Sequence, residues 1–198
     1  MNKKLSILIA TGIYPPDIGG PATYVAGLVP RLQSLGYTIH VLTYADHGAV
    51  SRRWPKMIRH LIYFFYVLWL GSGVDIIYLQ DVVSAGIPTV CANFFLRRRL
   101  ILKIVGDYAW ERLQQQMANG KWQMVPMSLE KFQTQRFNLF IELLCWLERF
   151  VARRADHIIV PSQYLKRVIH QWGIASQMIT VIYNAVDIHI WKSDFQIS

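Results

Sequence analysis

The sequence contains little cysteine and no arrangement of residues typical of a metal site. Cysteine occurs twice in 198 residues, at Cys91 and Cys145, and both lie in apolar stretches. Isolated cysteines in such surroundings predict reduced core residues of a cytoplasmic protein, rather than a disulfide or a redox centre. The six histidines are scattered along the chain, so no metal and no bound cofactor are expected.

Charged residues are also scarce. They make up 17% of the chain, whereas hydrophobic residues make up 53%. This composition excludes an intrinsically disordered protein, and the length fits one domain. The apolar surplus must be buried in a sheet covered on both faces, against another domain, or on a membrane surface.

Acidic residues are outnumbered, with 12 Asp and Glu against 21 Lys and Arg and a formal net charge of +9. A basic chain attracts polyanions. The sequence has no zinc-finger spacing, no RNP-like aromatic string and no basic-region zipper. Phosphorylated ligands and anionic lipid are therefore favoured over nucleic acid as partners.

The hydrophobic pattern alternates between strand and helix. Apolar or β-branched runs predict strands at residues 5–10, 38–44, 75–79, 100–105, 157–160 and 179–182. Helical spacing predicts helices at residues 21–35, 55–70, 83–95, 129–154 and 162–172, whereas residues 106–128 show no clear period. The fold class is therefore α/β: a Rossmann-like open parallel sheet with helices on both faces, over residues 1–183.

In such sheets, ligands bind at the edge where the strands have their carboxyl ends. The loops at that edge contain Tyr14, Gln80, Asp81 and Ser162, together with residues 44–47. These side chains are candidates for binding a substrate.

A glycine pair, Gly19 and Gly20, lies between the first strand and the first helix. Its spacing matches neither the dinucleotide-binding pattern nor the P-loop. Glycine lets backbone N–H groups approach an anion closely, and a helix N-terminus adds a favourable potential for phosphate. The pair predicts either an anion-binding loop or a flexible turn, and the local pattern leaves both open.

A second polar cluster follows the fourth strand. Asp107 and Glu111 are separated by aromatic residues that include Tyr108 and Trp110. The carboxylates could bind a sugar hydroxyl, with Asp107 as a base, and the aromatic rings could stack on a sugar face. The alternative is that Asp107 caps a helix among buried aromatic residues.

Three segments together resemble the N-terminal domain of retaining family 4 glycosyltransferases, which have the GT-B fold. They are YPPDIGG at residues 14–20, ADHIIVPSQYLK at 155–166 and VIYNAVD at 181–187. The resemblance implies transfer of a sugar from a nucleotide-diphosphate sugar to a saccharide or lipid-linked acceptor of the cell envelope, with retention and without a metal. It places Gly19 and Gly20 beside the donor diphosphate.

The sequence departs from this family in three places, the mildest being Ala185, where the family's NGVD segment has glycine. The loop after the fourth strand commonly carries a histidine that contacts the donor sugar, and here Gly106 and Asp107 stand there, so Asp107 is the catalytic candidate. Asn184 is expected to be a hinge, and residues 184–198 the start of a linker to a C-terminal donor-binding domain that the sequence does not contain. The isolated domain is therefore expected to be inactive.

Two other functions remain open at this stage. One is a non-catalytic, membrane-associated subunit that needs a separate C-terminal domain. The other is a nucleotide-binding oxidoreductase domain, for which Asp46 after the second strand is the sole support.

A basic stretch precedes an apolar run in the second predicted helix. Arg52, Arg53, Lys56 and Arg59 come before residues 61–70, which are wholly apolar. This pattern is typical of an interfacial anchor on an anionic membrane, such as the inner face of the cytoplasmic membrane. A helix buried between the sheet and its neighbours gives the same pattern.

Overall fold

The computed structural model describes residues 4–45, 50–118 and 128–184. In chain order, its elements are β1 (Ser6–Ala10), α1 (Gly20–Ser34), β2 (Thr38–Leu42), β3 (Tyr44–Ala45), β4 (Val50–Ser51), α2 (Lys56–Ser72), β5 (Ile76–Leu79), α3 (Gly86–Leu96), β6 (Arg99–Lys103), α4 (Tyr108–Ala118), α5 (Leu129–Thr134), α6 (Leu139–Ala152), β7 (His157–Val160), α7 (Gln163–Gln171), a 3₁₀ turn (Ser176–Met178) and β8 (Ile179–Val181).

Six strands form one parallel sheet in the order β2-β1-β5-β6-β7-β8, while β3 and β4 form a separate parallel pair. Two aspartates form hydrogen bonds that connect the amino ends of neighbouring strands. Asp75, just before β5, accepts a hydrogen bond from the Ser6 N–H at 2.9 Å. Asp156, just before β7, accepts one from the Leu100 N–H at 2.7 Å. These bonds fix the register in which β1 pairs with β5, and β6 with β7.

The two faces of the sheet carry different helices. Alternate residues of a strand point to opposite faces. Ile7 and Ile9 of β1 pack with Val25 of α1, whereas Leu8 and Ala10 join a core to which α2 to α7 all contribute. Helices on both faces of a parallel sheet were expected, and this arrangement confirms the Rossmann-like α/β fold.

The structure differs from the sequence-based expectation in two helical segments. Residues 106–128, for which no period was found, contain α4. The helix expected over residues 129–154 is two helices, because Gln135 is extended and Asn138 begins α6 by accepting a hydrogen bond from the Ile141 N–H. An Asn that caps a helix favours a new start over continuation of the preceding helix.

The expectation that both cysteines are core residues is wrong for Cys91. Its side chain is exposed rather than in the core, while Cys145 is half-buried. Both thiols are free. Among the described residues, no helix is long and apolar enough to cross a membrane.

Candidate active site

A cleft of about 490 Å³ opens where the strand order changes direction. From β1 the chain first moves outward to β2, and it later returns to β5 on the other side of β1. Such a switch point leaves a crevice outside the carboxyl ends of the strands. The cleft is lined by residues at the carboxyl ends of β1, β5 and β6 and in the loops that follow them, including Thr11, Gly12, Gln80, Asp81, Lys103 and Gly106.

The loop that contains the glycine pair borders this cleft through Asp17, Ile18 and Pro21, although Gly19 and Gly20 themselves are not among its lining residues. Gly19 precedes α1 with φ 158° and ψ 155°, and no side chain caps the end of the helix. The first turn of α1 holds no acidic residue, so the partial positive charge of the N-terminus is not neutralised by its own helix. Pro21 of this turn lines the cleft.

An ion pair holds the same loop in place. The guanidinium of Arg52 donates two hydrogen bonds to the carboxylate of Asp17, one of them 2.6 Å long. Arg52 thereby lowers the pKa of Asp17 below its ordinary value. Both residues line the cleft, so the pair joins the glycine loop to the segment between β4 and α2.

Asp81 lines the cleft and lies against the backbone of Gly12. Its Oδ1 accepts hydrogen bonds from the N–H groups of Val83 at 2.9 Å and Ser84 at 2.7 Å. Its Oδ2 occupies the space that a Cβ on residue 12 would need. Burial raises the pKa of Asp81, and the two N–H donors oppose that rise.

Aromatic side chains support this part of the cleft. The Tyr44 ring stacks on Tyr63 with centroids 4.6 Å apart. Its hydroxyl donates to the Ser84 carbonyl at 2.8 Å and lies 3.0 Å from Nδ1 of His60. Because this hydroxyl donates to the carbonyl, Nδ1 of His60 is the donor in the second bond. Tyr44 was expected at the ligand edge, whereas nothing in the sequence singled out His60.

Lys103 contributes a buried cation to the opposite side of the cleft. The residue is 2% exposed, and burial lowers its pKa. Its Nζ lies 3.1 Å from the centroid of the Tyr24 ring and donates to Oδ1 of Asn184 at 3.1 Å. Asn184, expected as a hinge, is thus bonded to the end of a central strand. A lysine as the last residue of an otherwise apolar strand was the available signal for this site residue.

Gln80 adds a donor without an acceptor. The residue is 7% exposed, and its Nε2 has no acceptor of normal hydrogen-bond geometry among the described residues, although Gln80 interacts with the Tyr78 hydroxyl and opposes the rise in the pKa of Tyr78. A buried amide N–H₂ that lacks an acceptor is costly unless a ligand completes it. Gln80 lines the cleft beside Asp81.

Asp107 lies outside the cleft and caps α4. Its Oδ1 accepts from the Trp110 N–H at 2.8 Å, its Oδ2 accepts from Nε2 of Gln133 at 2.8 Å, and the residue is 2% exposed. A second buried carboxyl group, that of Glu148, accepts from the Tyr108 N–H at 2.7 Å. With both oxygens occupied, Asp107 fits the helix-cap alternative, and the geometry gives no support to its catalytic assignment.

The remaining predicted residues divide between the cleft and its surroundings. Tyr108 and Glu111 line the cleft together with Asp81. Trp110 packs against the main core, Tyr14 packs beneath α1, and Ser162 caps α7 by accepting from the Leu165 N–H at 3.1 Å. Asp46, His47 and residues 185–198 lie outside the described residues.

The described residues also contain no group of three or more His, Cys, Asp or Glu side chains that could hold a metal ion.

The profile of Glycosyltransferase Family 4 matches residues 18–190. The chain belongs to glycosyltransferase family 4. No curated protein sequence matches it, so family membership rests on this profile match, which covers most of the chain and agrees with the fold.

Solved structures share the fold of this family 4 domain at low sequence identity. HepE from Anabaena, in complex with UDP, superposes with a TM-score of 0.54 at 17% identity, over 94% of this chain and 46% of HepE. The lipopolysaccharide outer core galactosyltransferase WaaB gives a TM-score of 0.57 at 15% identity, over 93% of this chain and 47% of WaaB. The UDP-GlcNAc 2-epimerase of Methanocaldococcus jannaschii gives a TM-score of 0.57 at 12% identity, over 90% of this chain and 45% of the epimerase. The chain thus spans less than half the length of each.

Proposed function

We propose that this family 4 domain takes part in the transfer of a sugar from a nucleotide-diphosphate sugar to an acceptor, with retention. The observation that carries the proposal is the uncapped N-terminus of α1 at the edge of a cleft that contains Lys103 and two arginines, Arg52 and Arg59. A diphosphate at this helix end would meet backbone N–H groups and a positive potential. Charge that develops on the leaving diphosphate would be stabilised there.

The nature of the donor is supported by the structures that share the fold. HepE was solved with UDP, and the epimerase is named for a UDP-sugar. We infer that the ligand of the glycine loop is a nucleoside diphosphate. Gly20 suits this role because a Cβ at this residue would meet no atom of the protein within 4 Å, which leaves room for a ligand beside the helix end.

The acceptor would bind deeper in the cleft. Asp81 can accept a hydrogen bond from a sugar hydroxyl through Oδ2, and Gln80 can donate one from Nε2. Tyr108 offers an aromatic ring, and Glu111 a carboxylate, on the other side. The described geometry assigns no residue as a nucleophile. The family resemblance implies attack on the same face from which the diphosphate leaves, and that route needs no protein nucleophile.

A second domain would complete the site. Each of the compared structures is more than twice as long as the part that this chain covers. We propose that a C-terminal domain closes the other side of the cleft and binds the nucleoside, so that this domain alone has little transferase activity. We propose a saccharide or a lipid-linked acceptor of the cell envelope for this cleft.

Titration calorimetry with UDP, GDP and inorganic pyrophosphate tests the diphosphate site. Gly20→Val places a side chain in the space proposed for phosphate. Gly27→Val is the matched control, because Gly27 is in the same helix and also has no atom near its Cβ position. We expect Gly20→Val to weaken diphosphate binding at least about ten-fold through lost charge-assisted hydrogen bonds, with no change for Gly27→Val. Equal affinities in the two variants would exclude the loop as the diphosphate site.

A further inference from the structure

Large aromatic side chains are exposed on three helices that lie on the same face of the sheet. They are 58–71% exposed and comprise Phe65 and Trp69 of α2, Phe94 and Phe95 of α3, and Trp146 of α6. We call these five residues the aromatic face. Single exposed apolar residues are normal on a protein surface, but a contiguous patch of them marks an interaction site.

Ring contacts show that this patch is continuous between α2 and α3. The Phe64 ring lies 5.3 Å from Phe65 and 6.3 Å from Phe95, measured between centroids. Phe95 in turn lies 5.5 Å from Phe94. The rings therefore form an unbroken series from one helix to the next.

A groove extends the same surface to α6. It measures about 490 Å³ and is lined by Phe94 and Phe95 on one side and by Phe150 and Arg154 on the other. Phe150 stacks on Trp146 with centroids 5.4 Å apart. The aromatic face thus crosses α2, α3 and α6, with α3 in contact with both of the other helices.

Exposed cations lie at the ends of these helices. Arg53 and Lys56 are at the start of α2, Arg97 follows α3, and Arg154 follows α6. Neither α2 nor α3 contains an acidic residue, and α6 has one exposed acidic residue, Glu142 in its first turn, while its Glu148 is buried. The surface is therefore apolar in the middle and positively charged at its ends, which is complementary to an anionic layer with an apolar interior.

We propose that the aromatic face docks on the surface of an anionic lipid bilayer. Aromatic side chains are favoured at the boundary between headgroups and acyl chains, and basic residues beside them bind anionic headgroups. A second copy of this chain is a poorer partner, because pairing the two faces would bring their cations together. The proposal does not depend on the proposed function, since it uses no residue of the cleft.

Flotation of the chain with lipid vesicles tests the proposal. We expect binding to vesicles that contain phosphatidylglycerol, weak binding to phosphatidylcholine alone, and release as sodium chloride increases. Phe65→Ser with Trp69→Ser should lower the partition coefficient at least about ten-fold, because two large apolar side chains no longer enter the bilayer. Leu35→Ser is the matched control, since Leu35 is 74% exposed at the end of α1, on the opposite face of the sheet.

The contribution of one cation to vesicle binding can be measured at Arg97 without disturbing the fold. This residue ends α3 in the left-handed conformation, with φ 52°, which glycine adopts without strain. Arg97→Gly should therefore keep the fold while lowering the partition coefficient about five-fold, as expected for one basic residue near the membrane surface. Unchanged vesicle binding in this variant would contradict the role of the cations.

Cys91 gives an independent measurement on the unmodified chain. It is exposed and lines the groove between α3 and α6, whereas burial raises the pKa of the Cys145 thiol to about 12 and keeps it unreactive. Alkylation of Cys91 by a charged reagent should slow when anionic vesicles are added. An unchanged rate, equal binding to neutral vesicles, or equal loss in Leu35→Ser would overturn the proposal. So would a dimer that forms without lipid and is abolished by the Phe65 and Trp69 changes.

Discussion

The carboxylate of Asp81 occupies the space in which residue 12 would carry a Cβ. Gly12 follows β1 and Asp81 follows β5, and these strands are neighbours in the sheet. The absence of a side chain on Gly12 therefore lets a carboxylate lie directly on the backbone at the switch point. There its Oδ1 is held by the N–H groups of Val83 and Ser84.

Gly12→Ala is expected to displace Asp81 and to destabilise the domain by about 1–3 kcal/mol, the usual cost of adding a methyl group to a packed site. The displaced carboxylate would lose the two N–H bonds that hold Oδ1. Urea unfolding followed by circular dichroism measures the effect. Gly27→Ala is the control, because it adds the same methyl group where no atom is near and is expected to stabilise α1 by about 0.5–1 kcal/mol.

A double-mutant cycle identifies the cause of the stability loss in Gly12→Ala. If Gly12→Ala acts through Asp81, its cost should shrink when Asp81→Ala is already present, because the small side chain leaves room for the new methyl group. Additive free energies for the two substitutions would show that residue 12 acts on something other than Asp81.

The unfolding free energy is expected to fall as the pH rises from about 4.5 to about 8. Burial raises the pKa of Glu148 to about 8, and the nearby Asp107 adds to the rise. The folded state then holds a proton that the unfolded state has released, so stability is greatest below the ordinary pKa of glutamate and is lost as the pH passes the raised value. One such group gives a slope of up to about 1.4 kcal/mol per pH unit.

Glu148→Gln should reduce that slope, because an amide does not titrate. It should not abolish the slope, since burial also raises the pKa of Asp107. Urea midpoints across this pH range, compared between the two proteins, provide the measurement. Parallel pH profiles for the wild type and the variant would refute the assignment of the proton to Glu148.

Asp17→Asn is expected to loosen the glycine loop and leave the sheet intact. The Arg52 guanidinium lowers the pKa of Asp17, so the pair is present at neutral pH and is lost as the pH falls through that lowered value. Amide hydrogen exchange of residues 13–20 should accelerate about five-fold, equivalent to about 1 kcal/mol for a surface ion pair. Exchange in β1 and β6 serves as the internal reference, and equal acceleration there would indicate global rather than local destabilisation.

Much of the fold could be predicted from the sequence, because the sheet follows from local patterns. Buried parallel strands are continuous apolar runs, and β7 falls at the residues expected from the pattern. The helix α4 could not be found in this way. Its first turn is held by the carboxyl groups of Asp107 and Glu148. Glu148 lies 40 residues from the Tyr108 amide that it binds, so no local periodicity reveals that contact.

The cleft was only partly predictable, for a related reason. Asp81, Tyr108 and Glu111 were found because strand ends in a parallel sheet meet at one edge. Gln80 was expected at the same edge, but Lys103 was missed as a site residue because the sequence does not show which polar residue at a strand end is buried. Asp107 was assigned to catalysis because its position in the chain gives no sign that both oxygens are already occupied by N–H donors.

Amide NMR of the isotope-labelled chain during titration with UDP tests the central claim most directly, because weak binding is located residue by residue. We predict saturable shifts at Gly20, Ala22 and Thr23 in the first turn of α1, with smaller shifts at Gly12 and Ser84 in the cleft. Gly27 should not move. Shifts confined to the basic residues at the ends of α2 and α3, or no saturable shift in the first turn of α1, would contradict a diphosphate site at this helix end.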